Sequence, residues 1–152
     1  MARALSLPGG RRVPYPRKNL PSMDEYHDMI GVVKAYFQAF ATAADVEEQL
    51  SPELEFYYPG FGVCQGLSRY ADFSRTLSGT WERIDFDADN FSYIAGGGSV
   101  VVEGTVSGKL ANGASFRGHR FCAVLEVKQN AITRLFFYLD PDLAAAAQAS
   151  NA

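Results

Sequence analysis

The chain has 152 residues, 47% of them apolar and 13% aromatic, and a net charge of −3. That length fits one domain with a single core, and that apolar content excludes a disordered polymer. Residues 1–21 carry Arg3, Arg11, Arg12, Arg17 and Lys18 and no acid, so the rest is acidic, which argues against nucleic-acid binding by the folded part.

Residues 1–21 show no hydrophobic period and are broken by Pro8, Pro14, Pro16 and Pro21. They are expected to form a disordered basic arm, without the apolar stretch of a secretory signal. No run approaches the ~20 apolar residues of a membrane span, so no membrane partner is expected. Cys64 and Cys122 lie far apart and form no metal-ligand spacing. Reduced thiols, a cytoplasmic location and no metal are the expectations that follow.

Structure is predicted to begin at Ser22, where Ser22 and Glu25 form a capping box. Tyr26, Met29, Ile30, Val33, Phe37 and Phe40 then recur at helical spacing. Asp45 to Glu48 repeats the capping pattern on a short second helix that Pro52 stops. Leu54 to Tyr58 reads as a strand ended by Pro59-Gly60, with a glycine-rich loop after it. Leu67, Tyr70, Phe73, Leu77 and Trp81 mark a third helix. From Ile84 the period becomes two, with an offset near Asn90 that suggests a bulge, and Gly96 to Gly98 form a turn. Asp85, Asp87 and Asp89 alternate with apolar residues and read as a solvated face rather than a metal site. Leu143 to Ala152 reads as a flexible, alanine-rich tail.

Helices gather at the start and strands at the end, an α+β order. A curved antiparallel sheet wrapped around the N-terminal helices is expected, in one domain over residues 22–142. The last strands carry the polar groups. Asn112-Gly113 is a strong hairpin signal. As a two-residue loop it sets Val106 opposite His119, Gly104 opposite Phe121, Val102 opposite Ala123 and Val100 opposite Leu125. Opposed residues share a face, so His119 turns to the apolar, buried side, where Gly104 leaves room. At Gln129-Asn130 two registers remain open. A plain two-residue loop sets His119 against Asp140 and Phe121 against Tyr138. A bulge with Asn130 left-handed flips the parity. Leu135, Phe137 and Leu139 then turn inward, and Tyr138 and Asp140 point away.

Several segments together resemble the SnoaL-like branch of the nuclear transport factor 2-like superfamily. They are VVKAYFQAFATAADVEEQL, LEFYYPG, the glycine at Gly66 and the ending ITRLFFYLDPD. The resemblance covers about Asp24 to Asp142. It implies a cone-shaped α+β barrel, often a homodimer through its outer sheet face. Members include ketosteroid isomerase, limonene epoxide hydrolase, scytalone dehydratase, polyketide cyclases and noncatalytic binding proteins. Tyr36 aligns with the oxyanion-hole tyrosine of the isomerase. The general-base aspartate of that enzyme is replaced by Tyr58, and its protonated aspartate by Ala123. Tyr58 and His119 resemble the tyrosine and histidine of scytalone dehydratase, and Asp140 supplies at most one member of the hydrolase's acid set.

The resemblance implies a cofactor-independent cyclase, dehydratase or isomerase for an apolar carbonyl- or hydroxyl-bearing molecule. The alternative is a noncatalytic binding or structural module. In the catalytic reading, Tyr36 and Tyr58 stabilise an oxyanion, and His119, oriented by Asp140, moves the proton. Tyr138, Trp81, Phe121 and Phe37 line the pocket. Each residue also has a plain role open to it. The tyrosines and Trp81 can be core residues, and His119 a histidine bonded to backbone at the sheet end. Asp140 can simply end its strand. An open pocket of several hundred Å³ lined by Tyr58 and His119 supports catalysis, and a cone plugged by Phe37, Phe121 and Trp81 overturns it.

Overall fold

Ser22 opens the first helix as the capping box predicts: its hydroxyl accepts from the Glu25 N–H, and the Glu25 carboxylate accepts from the Ser22 N–H. The computed structural model describes residues 20–42 and 45–150, so most of the basic arm lies outside the described residues. Helix α1 spans Met23–Ala41 and buries Met29, Val33, Tyr36 and Phe37. Asp45 starts only a 3-10 turn, Val46–Gln49, because the chain is extended again by Leu50. Strand β1 runs Leu50–Tyr58, four residues longer at its start than the apolar alternation suggests. The glycine-rich loop is not all loop: Gly62–Gln65 is strand β2, paired back on β1.

Helix α2, Leu67–Thr80, buries Tyr70, Phe73 and Leu77. Trp81, expected on this helix, instead opens strand β3, Trp81–Phe86. The offset near Asn90 is a short 3-10 turn, Ala88–Asn90, that separates β3 from β4, Ser92–Gly96. Both pair with the long strand β5, Ser99–Leu110. Strand β6 is Ser115–Lys128 and β7 is Ala131–Leu139. The sheet order is β2-β1-β7-β6-β5-β3, with β4 also on β5. Pairing is antiparallel except between β1 and β7, which run parallel. The result is an α+β fold in which a curled sheet wraps α1 as a cone-shaped half-barrel.

The β5–β6 register is the expected one, by a different route. The turn has three residues, Ala111 to Gly113, closed by the Leu110 N–H donating to the Ala114 carbonyl at 2.8 Å. That shifts the pairs nearest the turn, Lys109 with Ser115 and Gly108 with Phe116. A bulge opposite Ser107 then restores the count, with Gly118 at φ +64° and its N–H donating to the Ser107 hydroxyl at 2.9 Å. Val106 therefore faces His119, and Gly104 faces Phe121. The room at Gly104 is taken by Phe91: a Cβ there would stand 2.5 Å from its ring.

At the next turn Gln129 and Asn130 are both left-handed, with φ of 51° and 61°, and the loop has two residues. The parity flips at a bulge between the Val127–Ile132 and Glu126–Arg134 pairs, so Leu135 and Phe137 are buried and Tyr138 points outward. The expected flexible tail is helix α3, Pro141–Ser150, with Leu143 and Ala147 buried.

Candidate functional site

β1 and β7 finish, and β3 and β6 begin, at one end of the cone, its mouth. The interior beneath is closely filled. Phe37 lies with its ring 5.1–6.0 Å from those of Phe91, Phe86, Phe121 and Phe137. Phe37 and Phe121, expected to line a pocket, pack against one another instead.

Buried tyrosine hydroxyls enter this apolar interior at two places. Tyr36 on α1 is fully buried, and its hydroxyl lies 2.8 Å from that of Tyr70 on α2. Burial, and then the neighbouring Tyr70, hold the Tyr36 pKa well above the tyrosine range. Burial pushes Tyr70 up to about 12, with the Tyr36 hydrogen bond pulling it partly back. Tyr58, at the end of β1, is the second place. Burial raises its pKa, and the facing Trp81 N–H offsets part of that rise. Even so, Tyr58 Oη and Trp81 Nε1 are both buried and neither makes a hydrogen bond. At neutral pH all three tyrosines are neutral hydroxyls, able to donate to an oxygen but not to act as anionic bases.

Two spaces border this cluster. A cavity of about 80 Å³ is lined by Tyr58, Phe61, Phe73 and Leu77 on one side and Ala147 and Gln148 on the other. A groove of about 430 Å³ is lined by Phe40, Tyr70, Leu77, Trp81 and Ile84. Leu77 borders both, so it stands as their partition.

The other expected site residues lie apart. His119 is on the inner side of β6 near the start of that strand, outside both spaces, with Nδ1 3.7 Å from the Asp140 carboxylate. Asp140 does meet His119, but through the start of α3 rather than across a strand pair. Its Oδ1 accepts from the Asp142 N–H at 2.9 Å, so it also caps that helix. Phe116 stands between His119 and Trp81, its ring 6.0 Å from the first and 5.2 Å from the second. Tyr138 lies on the outer face, 46% exposed and 5.5 Å from the Tyr57 ring, away from the cone interior. Tyr70 was legible only as a core residue, because no local pattern links hydroxyls on two different helices. Among the described residues no group of three or more His, Cys, Asp or Glu could hold a metal ion. No described helix is long and apolar enough to cross a membrane.

Residues 33–135 match the SnoaL-like domain. The chain belongs to the SnoaL-like domain family. No curated protein matches it. Solved structures similar to this SnoaL-like domain include a protein assigned as a polyketide cyclase from Xanthomonas campestris pv. campestris. It is 20% identical, with a TM-score of 0.71 over 80% of this chain and 98% of that one. TerC, co-crystallised with polyporic acid, is 16% identical, with a TM-score of 0.69 over 80% of this chain and 98% of its own. An NTF2-like protein of unknown function from Burkholderia pseudomallei is 19% identical, with a TM-score of 0.67 over 74% and 91%. At these identities the likeness establishes the fold and not the reaction.

Proposed function

We propose that this SnoaL-like domain binds a small apolar molecule through one oxygen, which accepts from the Tyr58 hydroxyl and the Trp81 indole N–H. The observation that carries this reading is the pair of orphaned polar atoms, one on Tyr58, which lines the small cavity, and one on Trp81, which lines the adjoining groove. An unsatisfied buried donor costs about 1–3 kcal/mol, and a carbonyl or hydroxyl placed between these two would satisfy both. The aromatic surroundings suit the rest of the ligand. That TerC was crystallised with polyporic acid, and that a structure assigned to a polyketide cyclase shares the fold, support a polyketide, terpenoid or steroid-like class. The present cavity is far smaller than the ~300–1,000 Å³ of ordinary ligand sites, so part of its wall must move on binding.

Calorimetric titration with 1-tetralone, an aryl ketone, and with tetralin, the same skeleton without oxygen, tests this. The ketone is expected to bind about tenfold more tightly, and Tyr58→Phe to erase most of the difference. Equal binding of the two by the unaltered protein overturns the reading.

Turnover is the second reading, favoured by the His119–Asp140 pair at the same mouth. In it Tyr58 polarises the carbonyl and His119 moves a proton during cyclisation, dehydration or double-bond isomerisation. Because Phe116 separates His119 from Trp81, a substrate must reach past that ring. Loss of turnover in His119→Ala, with 1-tetralone affinity retained, distinguishes catalysis from binding alone.

The outer face supports a homodimer. Val63, Tyr57, Phe136, Val124, Val101 and Ile94 are successive register partners across β2, β1, β7, β6, β5 and β4, and form one apolar row. Beside it Arg134 lies 3.7 Å from Glu55 and 3.8 Å from Glu126, so the charges flanking the row are matched within the chain and do not oppose burial against a second copy. Phe136→Glu is expected to convert a dimer to a monomer in sedimentation. A single species unchanged by the substitution removes this face as the interface.

A further inference from the structure

We infer that α3 is the movable wall: a lid hinged at Asp140-Pro141 that opens to admit ligand to Tyr58. This rests on the reading of Tyr58 as a binding group, and it adds which element moves and from which side the ligand enters.

The cavity beside Tyr58 is roofed by Ala147 and Gln148 of α3. The roof is held firmly at one end only. At its start the Asp140 N–H donates to the Arg120 carbonyl at 3.0 Å, and the Asp140 carbonyl accepts from Ala144 at 2.9 Å. The Asp140 carboxylate caps the Asp142 N–H and faces His119. Beyond that anchor the helix is PDLAAAAQAS, with Leu143 and Ala147 as its buried residues. Alanine offers little area to bury, and a helix of this length is marginal by itself. Ser150 Oγ, at its far end, is buried without a partner. Gln148 lies over the turn at Gly60, where a Cβ would stand 2.7 Å from Nε2 and where φ of +83° favours glycine. The other walls are held more strongly: Phe73 and Leu77 belong to α2 and are buried in the aromatic core, and Tyr58 is in the sheet. The element with the least to lose on opening is therefore α3. Its displacement uncovers the Tyr58 hydroxyl without breaking any strand pair.

Hydrogen exchange on the full chain, with 1-tetralone kinetics, tests the lid. Without ligand, amides of Ala144 to Gln148 are expected to exchange about a hundredfold faster than those of Phe121 to Leu125 in β6. Exchange of both segments at one common rate overturns the lid, whatever the ligand does. Leu143→Ala is expected to speed 1-tetralone association about tenfold while leaving β6 protection in place. Ala147→Leu, which fills the cavity from the lid side, is expected to slow α3 exchange and cut affinity about tenfold. If 1-tetralone binds and neither substitution alters its kinetics, entry runs past Leu77 and the lid is refuted. If α3 exchanges fast but 1-tetralone does not bind, the opening stands and the Tyr58 site fails.

Discussion

Two buried aromatic pairs, Tyr36 with Tyr70 and Tyr58 with Trp81, sit in one core and differ in whether their polar atoms are satisfied. The hydroxyls of Tyr36 and Tyr70 meet at 2.8 Å and satisfy each other. Tyr58 and the Trp81 N–H face one another and remain unsatisfied. The first pair ties α1 to α2 across the apolar interior. The second lies at the mouth, where Tyr58 lines a cavity that a light helix covers and Trp81 lines the groove beyond Leu77. The contrast separates a polar contact that serves the fold from one that the fold leaves incomplete. An incomplete buried pair lowers stability, and a ligand oxygen is the group that restores it.

The largest expected effect lies on the satisfied pair. Tyr36→Phe leaves the Tyr70 hydroxyl alone in the core and should cost about 1–3 kcal/mol in urea denaturation. Adding Tyr70→Phe removes the orphan and should return much of that loss. A double variant as unstable as the single one would mean that the pair matters by shape and not by hydrogen bonding.

Alkaline pH gives the next largest effect. Unfolded tyrosines ionise near pH 10, whereas burial holds Tyr70 at about 12 and Tyr36 and Tyr58 higher than the usual value as well. The folded chain thus keeps protons that the unfolded chain releases. Stability is full below pH 10 and falls as the pH rises from 10 through 12. The urea midpoint should drop between those values, and drop less in the double phenylalanine variant. A midpoint that holds steady across that window contradicts the buried, neutral state of these hydroxyls.

The smallest expected effect lies on the unsatisfied pair. Tyr58→Phe removes an orphaned hydroxyl and keeps the ring against Phe73, so the melting temperature should stay level or rise slightly. A loss as large as that of Tyr36→Phe would make the two pairs alike.

Much of this arrangement was legible in the chain, and the remainder was not for physical reasons. The Ser22–Glu25 box fixed the start of α1 because both hydrogen bonds are local. The inward side of His119 followed from alternation, although the turn at Gly113 is one residue longer than expected. The bulge at Gly118 compensates, since only one register keeps Val100, Val102 and Val106 buried. In β7 both faces are apolar, so alternation could not choose between Phe137 and Phe136 as the inner ring. Trp81 continues the helical spacing from Leu77, and only the tertiary pairing with Leu110 makes it a strand residue. Helix α3 was missed because an alanine run carries no stripe. The pairing of Tyr36 with Tyr70 depends on how two helices cross, which no local pattern encodes.

Trp81 is the chain's one tryptophan, so its indole N–H gives a single, unambiguous proton resonance. Titrating 15N-labelled protein with 1-tetralone and with tetralin reads the proposed hydrogen bond directly. The ketone should move that resonance downfield and slow its exchange with water, tetralin should do neither, and Tyr58→Phe should weaken the response. An indole resonance that ignores the ketone while the ketone binds would show that the oxygen goes elsewhere, and that the orphaned pair at the mouth is not the ligand site.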